Sequence, residues 1–198
     1  MFFAKYSKLL LSFLMIVAIV FFWYTRFDEL VYHSFASKEI IDLSNAQELN
    51  RENQEKYFNK FVSITGVLGN KAATLNGLRS GSLRYGRYQV RNLIGSKVFI
   101  EFDEEKYLPK FNQFTKVTVQ GRFVPFGTAK ELSSVREFYQ KYHKMTIDKD
   151  AVIIIVDEFP KTQWRYLIAF ILTLIIVSIS FYTAYRSIKN YSIVDDCL

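Results

Sequence analysis

Apolar residues in this chain follow two patterns: long unbroken runs near both ends, and period-two alternation between them. The first run, residues 9–25, is uncharged and lies between Lys8 and Arg26. The second, residues 164–185, is uncharged from Tyr166 onward and ends at Arg186. A helix needs roughly 17–25 residues to cross a bilayer core, so both runs predict transmembrane helices. Residues 1–8 and 186–198 become short tails, and residues 26–160 lie between the spans as a helical linker (26–59) followed by a soluble domain (60–160). The first run is longer than the about 7–15 apolar residues of a cleaved signal. It leaves through Phe21, Phe22, Trp23 and Tyr24 with no small-residue cleavage site, so it is expected to stay as an anchor.

Ser44 followed three places on by Gln47 has the form of a capping box and predicts a helix over residues 45–59, with Leu49, Tyr57 and Phe58 available for packing. The pattern then turns to strands. Residues 60–69 alternate, with Gly66 inside as a bend; residues 87–94 and 97–103 form a hairpin whose Gly95-Ser96 turn suits type II′. Val98, Ile100 and Phe102 share one face of the third strand. Residues 104–113 read as a short helix, residues 116–126 as a fourth strand with a bulge at Gly121, and residues 151–157 as a fifth. The run Val152, Ile153, Ile154, Ile155 needs cover on both faces. Three strands, a helix and two strands predict an α+β domain built on a five-stranded OB-like β-barrel. A four-stranded sheet with one misread strand is the rival.

Aromatic residues make up 17 % of the chain. Both tryptophans flank the middle segment: Trp23 and Tyr24 close the first span, and Trp164 and Tyr166 open the second, as a membrane-interface belt would. Lys5 and Lys8, joined by Arg186 and Lys189, favour cytoplasmic termini and place the middle domain in an extracytoplasmic compartment. The single cysteine, Cys197, lies in a tail, so disulfides cannot stabilise the domain.

Charge changes the picture once more. From Lys56 to Ile100 there is no acidic residue, while Lys56, Lys60, Lys71, Arg79, Arg84, Arg87, Arg91 and Lys97 are basic. An OB-like barrel binds ligands on its second and third strands and in the loops after the first and fourth. Residues 70–86 form the first of those loops, and residues 127–150 the other, where Val135, Phe138, Tyr139 and Tyr142 recur at helical spacing. Arg79, Arg84, Arg87 and Arg91, with Tyr85 and Tyr88 between them, are the candidate partner-binding residues for an anionic partner: lipid headgroups, an acidic polymer or an acidic protein surface. The extracytoplasmic placement speaks against nucleic acid, for which the two tyrosines would otherwise stack bases.

Catalytic patterns are missing. No paired Cys or His at zinc spacing, no nucleophile elbow and no phosphate-binding glycine loop occurs, so no enzyme, metal or cofactor is expected. His143, with Met145, offers an imidazole and a thioether to a soft metal, which keeps a metal- or haem-handling helper as an alternative. Ser178, Ser180 and Ala184 give the second span a small-residue stripe, which suits an accessory subunit of a membrane complex. In layout, the helix, soluble β domain and closing helix resemble the Surfeit-type cytochrome oxidase assembly factors, and the tethered barrel resembles the haem chaperone of cytochrome c maturation. The second span has no histidine for haem, and the His and Tyr attachment signature is absent, so the resemblance transfers no residues. It implies a role class: assembling, scaffolding or handing over a component at a membrane.

Overall fold

The computed structural model describes residues 2–44, 49, 54–79, 84–127, 132–161 and 164–195. The chain divides into two compact units: residues 1–34 with 163–198, and residues 35–162.

The first unit holds two helices, α1 (Phe2–Phe35) and α4 (Trp164–Asp195). Both are long and apolar enough to span a membrane. Helix α1 does not stop where its apolar run ends. No glycine or proline interrupts residues 26–35, so the helix continues for nearly three turns through Arg26, Asp28, Glu29 and His33. The helices meet through specific contacts. The Trp23 indole Nε1 donates to Thr173 Oγ1 at 2.8 Å, and its ring packs edge-on against Phe170 at 5.1 Å. The His33 ring stacks on Tyr166 at 5.4 Å and lies 3.5 Å from the Glu29 carboxylate one turn earlier. These contacts set Trp23 opposite Thr173. Thr173 lies nine residues beyond Trp164, about 13 Å along the helix at 1.5 Å per residue. Trp23 is therefore well away from the level of Trp164. Trp23 is buried, whereas Tyr24 and Trp164 are exposed. The charged turn Arg26–Glu29 runs beside the opening turns of α4, between the levels of its Tyr166 and Thr173 contacts.

The second unit is a six-stranded mixed sheet. Its strands are β1 (Ile41–Asp42), β2 (Lys60–Arg79), β3 (Arg84–Leu93), β4 (Val98–Asp103), β5 (Lys116–Pro125) and β6 (Val152–Val156). Helix α2 (Glu104–Tyr107) lies between β4 and β5, and α3 (Ser133–His143) between β5 and β6. Most of the helix predicted over residues 45–59 lies outside the described residues; its end, Glu55–Tyr57, is a single 3-10 turn. The strand order is β1-β2-β3-β4-β6-β5, and β5 also pairs with β2, so the hydrogen-bonded path from β2 returns to β2. Register can be walked around it. Lys60 faces Phe123, Phe123 faces Ile154, Ile154 faces Ile100, Ile100 faces Arg91, and Arg91 faces Ala72, twelve residues further along β2 than Lys60. Part of that stagger comes from a register shift between Leu68 and Ala72, where Gly69 leaves room for Asn92: a Cβ on Gly69 would sit 2.3 Å from Asn92 Oδ1.

Both faces of β4 and β6 are buried, as their unbroken apolar runs require. Val98, Ile100, Phe102, Val152, Ile154 and Val156 enter one core with β2 and β5; Phe99 and Ile153 enter a second core under α3. The β3–β4 turn differs from the type II′ expectation. Ser96 N–H donates to Leu93 C=O, and Gly95, with φ 75°, takes the second central position, where type II needs glycine. No bulge occurs at Gly121. Its pairing is continuous with both neighbours, and its role is to let the Ile155 carbonyl approach. Asp103 caps α2 by accepting from Glu105 N–H and Lys106 N–H, and Asp157 holds the helix through the Lys106 ammonium and the Tyr107 hydroxyl.

Candidate functional site

Residues 70–86, expected as a loop, are mostly strand. Residues 60–67 of β2 pair with β5, and residues 72–79 pair with β3. Strand β3 meets β4 only from Tyr88 onward. Among the described residues, 76–79 and 84–87 therefore pair only with each other, as a two-stranded arm that extends past the rest of the sheet. A glycine pair, Gly77 opposite Gly86, crosses the arm. Gly77 has φ 148°, a backbone state open mainly to glycine, and nothing lies within 4 Å of where a Cβ would be. Beyond this pair, Leu78 faces Tyr85 and Arg79 faces Arg84 on the last rung. Because strand faces alternate, those two rungs lie on opposite faces of the arm.

The six candidate residues separate into three groups. Arg79 and Arg84 close the arm; their side chains lie outside the described structure. Tyr85 is 82 % exposed beside them. Arg87 is exposed too, but its Nε lies 2.7 Å from Glu104 Oε2 at the start of α2, so its charge is already met. Tyr88 and Arg91 are buried. Arg91 Nε donates to Gln89 Oε1 at 3.0 Å and Nη1 to the Phe111 carbonyl at 3.3 Å, with its guanidinium 5.9 Å from the Phe102 ring centre. Burial pulls the Arg91 guanidinium below its ordinary value, against the opposing influence of Tyr139 and Glu104. Arg91 therefore serves the fold, holding β3 to the segment after α2, and is unavailable to a partner. The sequence signal for this was its position between Val90 and Leu93, both fully buried.

One face of β3 and β4 is also occupied. Helix α3 packs there, with Val135 and Tyr139 against Ala73, Val90, Phe99 and Ile153. The Tyr139 hydroxyl lies 2.9 Å from the Lys71 carbonyl and 3.0 Å from the Val90 carbonyl, tying α3 to both strands at the base of the arm. The Lys71 ammonium donates to the His143 carbonyl at 3.3 Å. His143 itself is part of this packing. Its Nε2 is 3.3 Å from the Ala72 carbonyl, its ring lies against Phe138 and Tyr139, and Met145 packs on the second core. Lys144, in the left-handed conformation, ends the helix between them.

Tyr139→Phe removes the tie and is expected to cost about 1–3 kcal/mol, because the one hydroxyl proton that the two carbonyls share is lost and the buried Val90 carbonyl is deprived of it. Urea denaturation of the full chain in detergent measures it. Alkali should act on the same tie. Burial holds the Tyr139 phenol well above its usual range, against the nearby Arg91 charge; burial and then Asp157 raise Tyr107. Hydrogen bonds raise the exposed lysines: Asp157 for Lys106, and Asp150 then Asp148 for Lys97. In each case the folded chain keeps its proton at a pH where the unfolded chain has lost it. Stability is therefore full below about pH 10 and falls as pH climbs toward the raised folded values. Urea midpoints should be level from about pH 8 to 9.5 and decline above 10, less steeply in Tyr139→Phe.

Compared with protein-family models and with curated proteins, the chain matches none.

Proposed function

We propose that this chain is a non-enzymatic, membrane-anchored binding module. Its β domain is an OB-like barrel held between two transmembrane helices, with both termini cytoplasmic and the domain on the extracytoplasmic surface. The barrel reading is supported by the closed pairing path, by the stagger from Lys60 to Ala72, and by α2 falling, in chain order, between the third and fourth of the five strands that close it, β4 and β5. In such a barrel the usual ligand surface is the outer face of the second and third strands, here β3 and β4. Helix α3 fills much of it. The first loop, drawn out into the β2–β3 arm, remains.

The observation that carries the reading is this arm: self-paired, with Arg79 and Arg84 on its last described rung, and presenting Tyr85 to solvent. An exposed ring on an arm whose sequence is basic suits an anionic or protein partner. The role class is that of an assembly or scaffold factor, the class implied by the layout shared with the oxidase assembly factors. A photo-crosslinking phenylalanine analogue at position 85 of the full chain, activated in native membranes, tests it. A discrete adduct, to protein or to lipid, is the expected result. Irradiation that yields no adduct overturns binding through the arm.

A further inference from the structure

We propose that the end of the β domain built around Phe114 is a docking surface for a protein segment carrying an apolar side chain flanked by carboxylates. It is separate from the arm and gives the binding module a second surface. The β2–β3 ladder runs from Leu68 opposite Leu93 to Arg79 opposite Arg84, so the arm stands at one end of it and this surface at the other. Three stretches of backbone meet here. Ile94 N–H donates to the Val67 carbonyl at 2.8 Å, Phe114 N–H to the Leu68 carbonyl at 2.9 Å, and Leu68 N–H to the Thr115 carbonyl at 2.9 Å. The apolar side chains they carry face water: Val67, Ile94 and Phe114 are 38, 39 and 63 % exposed.

Phe114 has φ 60°, in the left-handed region. The other described non-glycine residues with positive φ are Ser44, Asn59, Lys144, Asp157 and Lys161, all polar. That geometry crowds the Cβ against the backbone, and a bulky side chain there is an outlier. Burial could offset the strain, but this ring is mostly in solvent and meets no other ring among the described residues. Glycine or asparagine would fit the turn with less strain, so the fold has little use for phenylalanine at this position. The turn is also fixed. The two Leu68 hydrogen bonds hold it to β2, and Thr115 Oγ1 donates to the Asn112 carbonyl at 2.6 Å. A strained, pinned and exposed ring is a preorganised anchor. Charge selects its partner. Residues 66–71, 92–96 and 108–118, which build this end, contain Lys71, Lys110 and Lys116 and no acid. Lys116 stands in register with Val67, and among the described residues neither it nor Lys110 makes an ion pair. An apolar centre beside unpaired cations complements an apolar residue between acids. A fluid headgroup layer accepts a ring in any orientation and does not depend on a fixed one, whereas a shaped protein pocket does, so the partner is protein.

The test uses the full chain in phosphatidylcholine nanodiscs, panned with a display library of random twelve-residue peptides, with the enriched peptides then titrated against it. Enriched sequences should place an aliphatic or aromatic residue between aspartates or glutamates. Phe114→Asn should weaken their binding by roughly tenfold or more, as loss of a central anchor does. Lys110→Glu with Lys116→Glu should do the same, and Tyr85→Ala should leave binding unchanged. In detergent, the urea midpoint of Phe114→Asn should rise above that of the parent chain, because asparagine tolerates the left-handed turn. Weaker binding by a more stable variant separates a lost anchor from a lost fold. Enrichment without acidic residues overturns the partner class. Peptides that bind Phe114→Asn as tightly as the parent chain overturn the surface, as does a library that yields no enrichment. A lower urea midpoint for Phe114→Asn shows that the ring serves the fold and also overturns the proposal. An environment-sensitive fluorophore at position 114 (Cys197→Ser, Phe114→Cys) that shifts on adding phosphatidylglycerol to the discs, with no peptide enriched, assigns the surface to lipid instead. The adduct at position 85 reads the arm alone, so either surface can fail without the other.

Discussion

Gly121→Ala should unfold the β domain or cost it more than about 3 kcal/mol, the upper range for overpacking. A Cβ built on Gly121 lies 2.2 Å from the Ile155 carbonyl oxygen, 2.7 Å from its carbon and 3.0 Å from Ile154 Cγ2. The first two atoms are backbone, so no rotamer change relieves the clash. Relief needs β5 and β6 to separate where Gly121 faces Val156 and Arg122 faces Ile155, and Gly121 also pairs with Val62 of β2. The substitution therefore strikes both ladders that join β5 to its neighbours. Gly127→Ala is the matched control: its Cβ would meet only Arg136 Nη2, at 3.8 Å, and should change stability by less than about 0.5 kcal/mol. Urea denaturation of both variants in the same detergent decides it. Equal midpoints would refute the close approach.

Arg122→Met is expected to cost about 3–5 kcal/mol, the range for breaking one half of a buried ion pair. Arg122 and Glu158 side chains are each only 2 % exposed, and Arg122 Nη1 lies 3.4 Å from Glu158 Oε1. The guanidinium is further fixed by Nε donating to Asn59 Oδ1 at 2.7 Å. Removing the arginine leaves a carboxylate deprived of that partner in a place water does not reach. The double variant Arg122→Met, Glu158→Met should recover most of the loss, since two apolar side chains of similar volume often replace such a pair without penalty. A single-variant loss below about 1 kcal/mol, the range for exposed pairs, would show that the pair is solvated. Glu101 stands on the same rung two strands away, with Ile155 between, so a second buried charge lies near enough to couple to the result.

Much of the fold was legible because the local signals agreed with one another. The two apolar runs are unbroken, and each of the five main strands contains a stretch of alternating or continuous β-branched and aromatic residues. What the sequence concealed depended on distance. The arm read as a loop because Gly77, Gly81 and Gly86 punctuate it, yet two of those glycines form a cross-strand pair, visible only once β2 and β3 are aligned. The first span reads as ending at residue 25, with a separate helical linker after it, because the membrane criterion counts charge and the helix criterion does not; helix α1 runs on to Phe35. Arg87 and Arg91 look equivalent in sequence, four apart and on the same side of one strand. One reaches Glu104 at the surface and the other is drawn in beneath Phe111, a difference set by where α2 crosses β3. The candidate site was thus located to the right ribbon but overfilled: two of its six residues hold the domain together.

Strand β6 has a consequence for how the chain is made. Among the described residues it alone joins β4 to β5, and its last residue, Val156, precedes Trp164 of α4 by eight positions. During vectorial synthesis the sheet stays open until almost the whole domain has emerged, with the flanks of β4 and β5 bare. At roughly 5–20 residues per second, the 32 residues of α4 follow within seconds. Closing the sheet and delivering the second helix to its destination therefore compete in the same brief interval, and a nascent chain halted near residue 150 would be a sticky intermediate in need of a holdase.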